Sequence, residues 1–420
     1  MRQSLMRSFD HIYVLDLHGN SRKKERSPDG SDDQNVFDIE QGVAISLLVK
    51  NRHLEKGVFH SEFWGKRLNK YKATAETSFK GVKWKTLASV PPFYLFVPQS
   101  RDLWAEYERG RPLPEIFPTN VLGFQTHRDH FAIAFERPDI EKRVCDFRDH
   151  SKSDSQLRET YSIADNSGWH LADARKRLEG GNIRAKAIIK CAYRPFDDRW
   201  CLFDTAFMDR PRRELLEHVA GRTTLCLLVP RQIGIATWRH AFVATTPAES
   251  CLVSSDTKSQ NYVFPARTSK EAGNSQENLS ADFRTFIDSR YEHHYTPEEI
   301  LGYINAILHA PTYRARYAGF LRIDFPRVPF PDSADDFETL SGLGWALVQA
   351  HLLRELPRQG LAAYHGKGNH NVESITYADQ TISINKSQFF KPVPQATWDF
   401  HIGGYRVLDK AYRAAFPDRG

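Results

Sequence analysis

Two apolar runs near the start of the chain, His11–Leu17 and Gly42–Val49, have the length and β-branched content of buried strands. Between them lie about two dozen residues rich in charge, Gly, Pro and Ser, and a loop that long inside a compact domain is more often functional or mobile than a plain connector. A basic run containing Arg22, Lys23 and Lys24 opens this loop, and Ser27-Pro28-Asp29-Gly30 supplies turn chemistry. Further strands are expected at Gly57–Trp64 and at the aromatic stretch Val90–Val97, which a double proline opens. Helices are expected at Lys66–Thr77 and Asp102–Arg109.

Beyond Pro112 the pattern becomes mixed. Thr119–Phe135 holds a polar knot, Gln125-Thr126-His127-Arg128-Asp129, followed by an alternating strand. Gln125, Thr126 and Arg128 have the donors and acceptors to read base edges or hold phosphates, and the same groups also serve a satisfied polar turn. A helix over Gly168–Glu179 and a strand over Ala185–Ala192 lead into Tyr193-Arg194-Pro195-Phe196-Asp197-Asp198-Arg199-Trp200. Its two arginines, Arg194 and Arg199, are set up to pair either with phosphates or with Asp197 and Asp198. Asp209–Glu214 reads as the opening of a helix that ends near Ala220, which puts Arg210, Arg212 and Arg213 beside the positive end of the helix dipole. Strands at Thr223–Val229 and Ile235–Val243 are joined through Pro230-Arg231-Gln232. Leu252–Pro265 reads as a loop carrying Ser254, Asp256, Lys258, Gln260 and Asn261.

Thr268–Asn278 has the composition of a polar linker and makes the clearest internal boundary. Thr296-Pro297-Glu298-Glu299 then matches a capping box with proline at the first helical position. Ile300, Leu301, Ile304, Ile307 and Leu308 follow at helical spacing. Phe337–Leu356 is a second amphipathic helix, expected to pair with the first. Ser374–Tyr377 and Thr381–Ile384 read as a β-hairpin around a short Ala-Asp-Gln turn.

The composition narrows the classes. In a chain of 420 residues, 40% hydrophobic and 26% charged content fits a soluble globular protein with one large core or two to three ordinary ones. No run of about 18 apolar residues is present, so no membrane partner is expected. Five cysteines without a C-x-x-C pair argue against a disulfide framework or zinc cluster, and the expected location is cytoplasmic. A net charge of +6 permits a nucleic-acid partner without demanding one. No P-loop, G-x-S-x-G or G-x-G-x-x-G occurs. His127-x-x-His130 and His293-His294 lack a second ligand pair, and the adjacent acids Asp197-Asp198 and Asp335-Asp336 do not make a nuclease site.

Several of these segments also carry a family's wording, in order. LDLHGN, RKKE, SPDG and NVFDIEQGVAI in the first stretch, YRPFDDRW at Tyr193–Trp200, LHAPTYRARYAGFLRIDFPRVPFP, and WDFHIGGY at Trp398–Tyr405 resemble type ISP restriction-modification enzymes. There, one polypeptide joins nuclease, translocase, N6-adenine DNA methyltransferase and target recognition domain. The resemblance covers nearly the whole chain. It implies that residues 1–110 are the C-terminal part of the methyltransferase domain and residues 111–420 a specificity domain, with the linker near 268–278. The implied fold is an α/β remnant of a Rossmann-like methyltransferase sheet, then an α+β target recognition domain with a helical sub-region.

In the family, S-adenosylmethionine sits on a glycine-rich loop and a catalytic Asn-Pro-Pro-Tyr holds the flipped adenine; neither motif occurs here. The chain is therefore expected to bind no cofactor alone and not to methylate by itself. Met1 reads as an internal methionine of a longer ancestor. The expected partner is double-stranded DNA, with a separate chain supplying the catalytic half. The competing reading is a catalytically inactive fragment that only binds DNA or acts as a scaffold. Candidate DNA contacts are Arg22, Lys23, Lys24, Gln125, Thr126, Arg128, Arg194, Arg199, Arg210, Arg212, Arg213, Arg231, Lys258 and Gln260.

Overall fold

The structure is a computed structural model that describes all residues except 22–24, 92, 99–100, 180–186, 220–223, 235–236, 257–258, 271–273, 356–361 and 415–420. The chain packs as two units, Met1–Glu108 with Gly234–Ala236, and the remainder from Arg109.

In the first unit, β1 (His11–Asp16), β2 (Ala44–Val49), β3 (Gly57–Glu62) and β4 (Lys85–Leu87) form one sheet in the order β2-β1-β3-β4. β1 runs parallel to β3 and antiparallel to β2. The loop after β1 is pinned rather than loose wherever it is described. Asp33 and Lys70, both with fully buried side chains, form an ion pair of 2.7 Å. Asp33 also accepts from the Gly19 and Gly65 amides, and Lys70 donates to the Leu17 and Gln34 carbonyls. A buried charge needs this complete a set of partners to offset its desolvation. Lys70 comes from the helix Arg67–Glu76, so that helix locks the loop to the sheet. The described residues of Val90–Val97, expected as a strand, form turns and bends, with Tyr94 at φ 47. The double proline has no N–H groups to give a ladder.

The second unit is built from several small sheets. β6 (Val121–Leu122), β10 (Cys226–Pro230), β11 (Phe242–Ala244) and β12 (Asn261–Pro265) make an antiparallel sheet in the order β11-β10-β12-β6. All five residues of β10 are buried. β7 (Ile133–Ala134), β8 (Ile188–Arg194) and β9 (Asp197–Leu202) form a second sheet. Its apolar side belongs to a core with Phe131, Phe147, Leu157, Trp169 and Phe207, to which three helices of residues 137–179 contribute. Two-residue strands β5 (Arg111–Pro112) and β15 (Arg327–Val328) pair with each other. β13 (Arg267–Lys270) and β14 (Asn274–Glu277) form a hairpin, so Thr268–Asn278, expected as a linker, is paired structure inside the unit. Leu252–Pro265 is likewise not all loop, because its end is the central strand β12, where Asn261 is fully buried. Of Ile235–Val243, the described residues give a strand only from Phe242, since the Arg239 carbonyl instead accepts from the Gly403 amide.

The long helices Pro297–His309 and Ala334–His351 cross at glycines, as their pairing predicted. A Cβ on Gly344 would lie 1.8 Å from the Gly302 carbonyl oxygen, so only glycine permits this approach. Ser341 adds a 2.7 Å hydrogen bond to the Glu299 carbonyl. Thr296 and Glu299 form the expected capping box. The tail sheet, β16 (Ala363–His365), β17 (Thr376–Ala378), β18 (Thr381–Ser383) and β19 (Phe389–Lys391), contains the expected hairpin. Its turn residues Asp379 and Gln380 both have positive φ. β20 (His401–Ile402) and β21 (Tyr405–Arg406) close the order of strands.

Candidate nucleic-acid interface

Two segments distant in sequence come together around the polar knot. Gln125 and Arg210 exchange backbone hydrogen bonds of 3.0 Å in each direction, which ties Phe124–Asp129 to Asp209–Arg213. Arg128 reaches across this join. Its Nη1 lies 2.6 Å from Asp209 Oδ1 and donates to the Thr126 carbonyl at 2.9 Å, while its guanidinium stacks 4.1 Å above the Trp169 ring. His127, with positive φ, turns outward and its Nδ1 sits 2.6 Å from Asp209 Oδ2. Burial works to raise the Asp209 carboxyl, but the hydrogen bonds from His127 and Arg128 outweigh it and hold the group below its ordinary value.

Arg213 opens the helix Arg213–Val219 later than the expected start at Asp209. The reason is local: Arg210 is spent on the bridge to Gln125, and Arg212 adopts φ 56, outside the helical region. Arg210 and Arg213 are exposed, and Arg212 is partly so. Within this junction Gln125 Oε1, Arg128 Nη2 and Arg212 Nε are buried without a hydrogen-bond partner among the described residues. Two guanidinium donors and one amide acceptor left open in this way suit a water, which can both accept and donate.

A second network lies behind the knot. Arg194 is 9% exposed, and its Nη1 donates to Glu249 Oε2 at 2.6 Å; its Nη2 lies 3.4 Å from Asp129 Oδ2, and the guanidinium covers the Tyr193 ring at 3.8 Å. Asp129 also accepts from the Tyr193 hydroxyl at 3.0 Å, so it belongs to both networks. Burial pushes the Glu249 carboxyl up, against the pull of Arg194 and the Cys251 amide. Burial alone would lower the Arg194 guanidinium, but Glu249 and its other neighbours push it above its ordinary value, so it keeps its proton. Arg199 pairs with Asp197 at 2.9 Å and lies 3.9 Å over the Phe135 ring.

The candidate residues therefore fall into groups. Gln125, Thr126, Arg128, Arg210, Arg212 and Arg213 share the junction. Arg194 and Arg199 are held by carboxylates and rings of this chain, and Gln260 reaches Ser250 Oγ at 3.4 Å. Arg231 stands elsewhere, paired with Asp324 at 2.8 Å. Arg22, Lys23, Lys24 and Lys258 lie outside the described residues. Sequence reading missed Asp209, Glu249 and Trp169 as the partners that orient these arginines. Only Asp209 stood close enough to a basic cluster to be noticed. Among the described residues no group of His, Cys, Asp and Glu could hold a metal ion, and no helix is long and apolar enough to cross a membrane.

Residues 115–410 match the Type ISP C-terminal specificity domain, and the chain belongs to that family. Among solved structures the fold resembles a nuclease-deletion mutant of the Type ISP restriction-modification enzyme LlaGI in complex with a DNA substrate mimic. The TM-score is 0.71 at 17% identity, over 100% of this chain and 34% of that one. It also resembles DrdV in a DNA complex, with TM-score 0.71 and 18% identity over 98% of this chain and 44% of that one. ATP-dependent Type ISP enzyme LlaBIII bound to DNA gives 0.72 and 18% over 98% of this chain and 29% of that one. The chain thus spans well under half the length of these structures. No curated protein matches it.

Proposed function

We propose that this chain recognises a DNA target sequence as the specificity part of a Type ISP-like restriction-modification N6-adenine DNA methyltransferase. Membership of the specificity-domain family over residues 115–410 carries this reading. The junction supports it chemically. Arg210 and Arg213 are exposed cations on a segment fixed by two backbone bonds and a buried ion pair, so phosphate contacts made there lose little freedom. Arg128 and Arg194 act through shape: their guanidinium groups bind Asp209 and Glu249 and hold the loops that would face the duplex.

In this reading the first unit is the end of a methyltransferase sheet. Among the described residues its strand β2 pairs on one side only, and Ile45, Leu47 and Leu48 are exposed on it. A cleft of about 250 Å³ beside that strand is lined by Tyr13, Leu15, Ile45, Leu47, Phe79 and Trp84. An apolar sheet edge is a template for further strands, and the catalytic half of the enzyme would continue the sheet there. The residues of this chain do not fit S-adenosylmethionine, because neither the glycine-rich loop nor Asn-Pro-Pro-Tyr is present. Cofactor and methyl transfer belong to that other half.

The test is selection of bound sequences from a random duplex library at near-physiological salt. Enrichment of one asymmetric site is the expected result. Salt-sensitive binding without enrichment would leave only the electrostatic attraction that any basic surface has for DNA, and would overturn target recognition.

A further inference from the structure

The tail sheet carries a second polar loop that sequence reading passed over. Gly366–Asn371, sequence GKGNHN, leaves β16 and is exposed at every residue. Such a loop ordinarily stays loose, since ordering it costs about 1–2 kcal/mol per residue and buries nothing apolar in return. Here it is caged. Gln388, fully buried, accepts through Oε1 from the His370 amide at 3.0 Å and from Asn385 Nδ2 at 2.9 Å. Its Nε2 reaches the Tyr364 hydroxyl and His370 Nδ1. Asn385 Nδ2 also donates to the Asn371 carbonyl at 3.0 Å, and Ser387 Oγ to the Lys367 carbonyl at 3.1 Å.

The backbone is fitted to this cage without slack. A Cβ on Gly366 would lie 1.9 Å from the Ser387 carbonyl oxygen, and one on Gly368 2.5 Å from Gln388 Oε1. His370 is held at φ 63, a conformation that a non-glycine residue adopts only when its surroundings impose it. The cage thus lays 366–371 against Lys386-Ser387. Together they present Lys367, Lys386, Asn369 and His370 to solvent, with no acid in residues 363–371 or 384–389. Neither Lys367 nor Lys386 has an ion-pair partner among the described residues, and the acid next in sequence is Glu373.

We propose that this caged loop is a second DNA contact, in which Lys367 and Lys386 hold backbone phosphates and Gln388 fixes the loop for them. A loop with cations and amide donors, no acids, and its ordering already met by buried amides is built for a polyanion. The inference rests on the DNA-recognition reading above and names a site outside the junction.

The experiment is a salt series of duplex binding by fluorescence anisotropy, using the full chain and a random-sequence duplex pool. The double variant K367A/K386A is compared with K72A/K80A, which removes two exposed lysines of the first unit. Each phosphate contact adds about 0.9 to the log–log salt slope, so K367A/K386A should bind about fivefold more weakly per lysine and flatten the slope by about two. K72A/K80A should leave the slope as in wild type. Equal losses in both variants would reduce the effect to net charge, and an unchanged K367A/K386A would remove the site; both overturn this proposal while leaving DNA recognition intact. If wild type itself binds no duplex, the DNA-recognition reading fails and this site fails with it.

Discussion

Acidification should unfold the second unit well above the pH at which carboxylates titrate, and the cause is a set of buried histidines. His240 is fully buried and His351 is 6% exposed. Burial first, then the Arg314 charge, lower both to about 3, with His309 adding to the effect at His351 and Asp256 opposing it at His240. Burial and Arg314 likewise lower His309 to about 4, despite its 2.8 Å hydrogen bond to the Asn305 carbonyl. The rings of His309 and His351 are 5.1 Å apart, so a proton on one opposes a proton on the other. These groups are neutral in the folded chain and take up protons once unfolded. The unfolded state therefore binds more protons, and stability falls as pH drops below about 6.5 until the folded values near 3–4 are reached.

At about pH 5 each histidine removes about 2 kcal/mol, or about 6 kcal/mol for the three, which is comparable with the whole stability of an ordinary domain. Urea unfolding followed by tryptophan fluorescence at about pH 7 and pH 5 measures it. H351F supplies the control. His351 packs against Phe242 with ring centroids 4.9 Å apart, and its Nδ1 has no hydrogen-bond partner among the described residues, so phenylalanine keeps the packing and removes the titration. The variant should lose about a third less stability over that interval than wild type. A flat stability between the two pH values, or the same fall in H351F as in wild type, would refute the reasoning.

Three further outcomes follow from single contacts. Glu249→Ala leaves Arg194 as a buried charge without its 2.6 Å partner and should cost about 3–5 kcal/mol, read as a lowered urea midpoint. Glu249→Gln should recover part of that loss, because it still accepts a hydrogen bond. Gly344→Val forces apart the two crossing helices and should lower the melting temperature strongly, whereas Gly342→Val, with open space around its Cβ, should leave stability unchanged or raise it slightly, because valine is a better helix former than glycine. Lys70→Met removes the buried partner of Asp33 and should loosen the loop after β1 at a cost of about 3–5 kcal/mol. Faster amide exchange at Gly19 and Gly65, whose N–H groups Asp33 accepts, would register it.

What the sequence revealed depended on how local the physics was. The capping box from Thr296 to Glu299 spans four residues and was legible, as was the hairpin turn at Asp379-Gln380. Thr268–Asn278 was misread because its polar residues resemble a linker, although backbone pairing, which any side chain permits, makes it a hairpin. Asn261 misled in the same way. Its amide is used inside, donating to the Glu249 carbonyl at 3.2 Å, so a residue that looks like a loop donor is a satisfied core group.

The arginines show the deeper limit, and it bears on specificity. Arg199 finds Asp197 two residues away, and that pairing could be anticipated. The partner of Arg194 lies 55 residues on, and the partner of Arg128, Asp209, is as remote in sequence. A conspicuous cation in a motif was thus a poor guide to contact. The motif arginine Arg194 and the knot's Arg128 are buried, while the exposed cations Arg210 and Arg213 sit in a short basic cluster and Lys367 and Lys386 in sequence that carries no motif. This division makes a specific expectation of target changes. Substituting Arg194 should damage recognition of every site together with stability, since it holds the scaffold. Substituting Arg213 should weaken binding by a similar factor on all sequences and leave the fold intact, as loss of a phosphate contact does. In the DNA-recognition reading proposed above, His127, turned out by its positive φ and steadied by Asp209, is a group the junction offers for base choice. His127→Ala should therefore alter which sequences a selection enriches more than it alters affinity for the random pool, and an unchanged enriched site would remove His127 from that role.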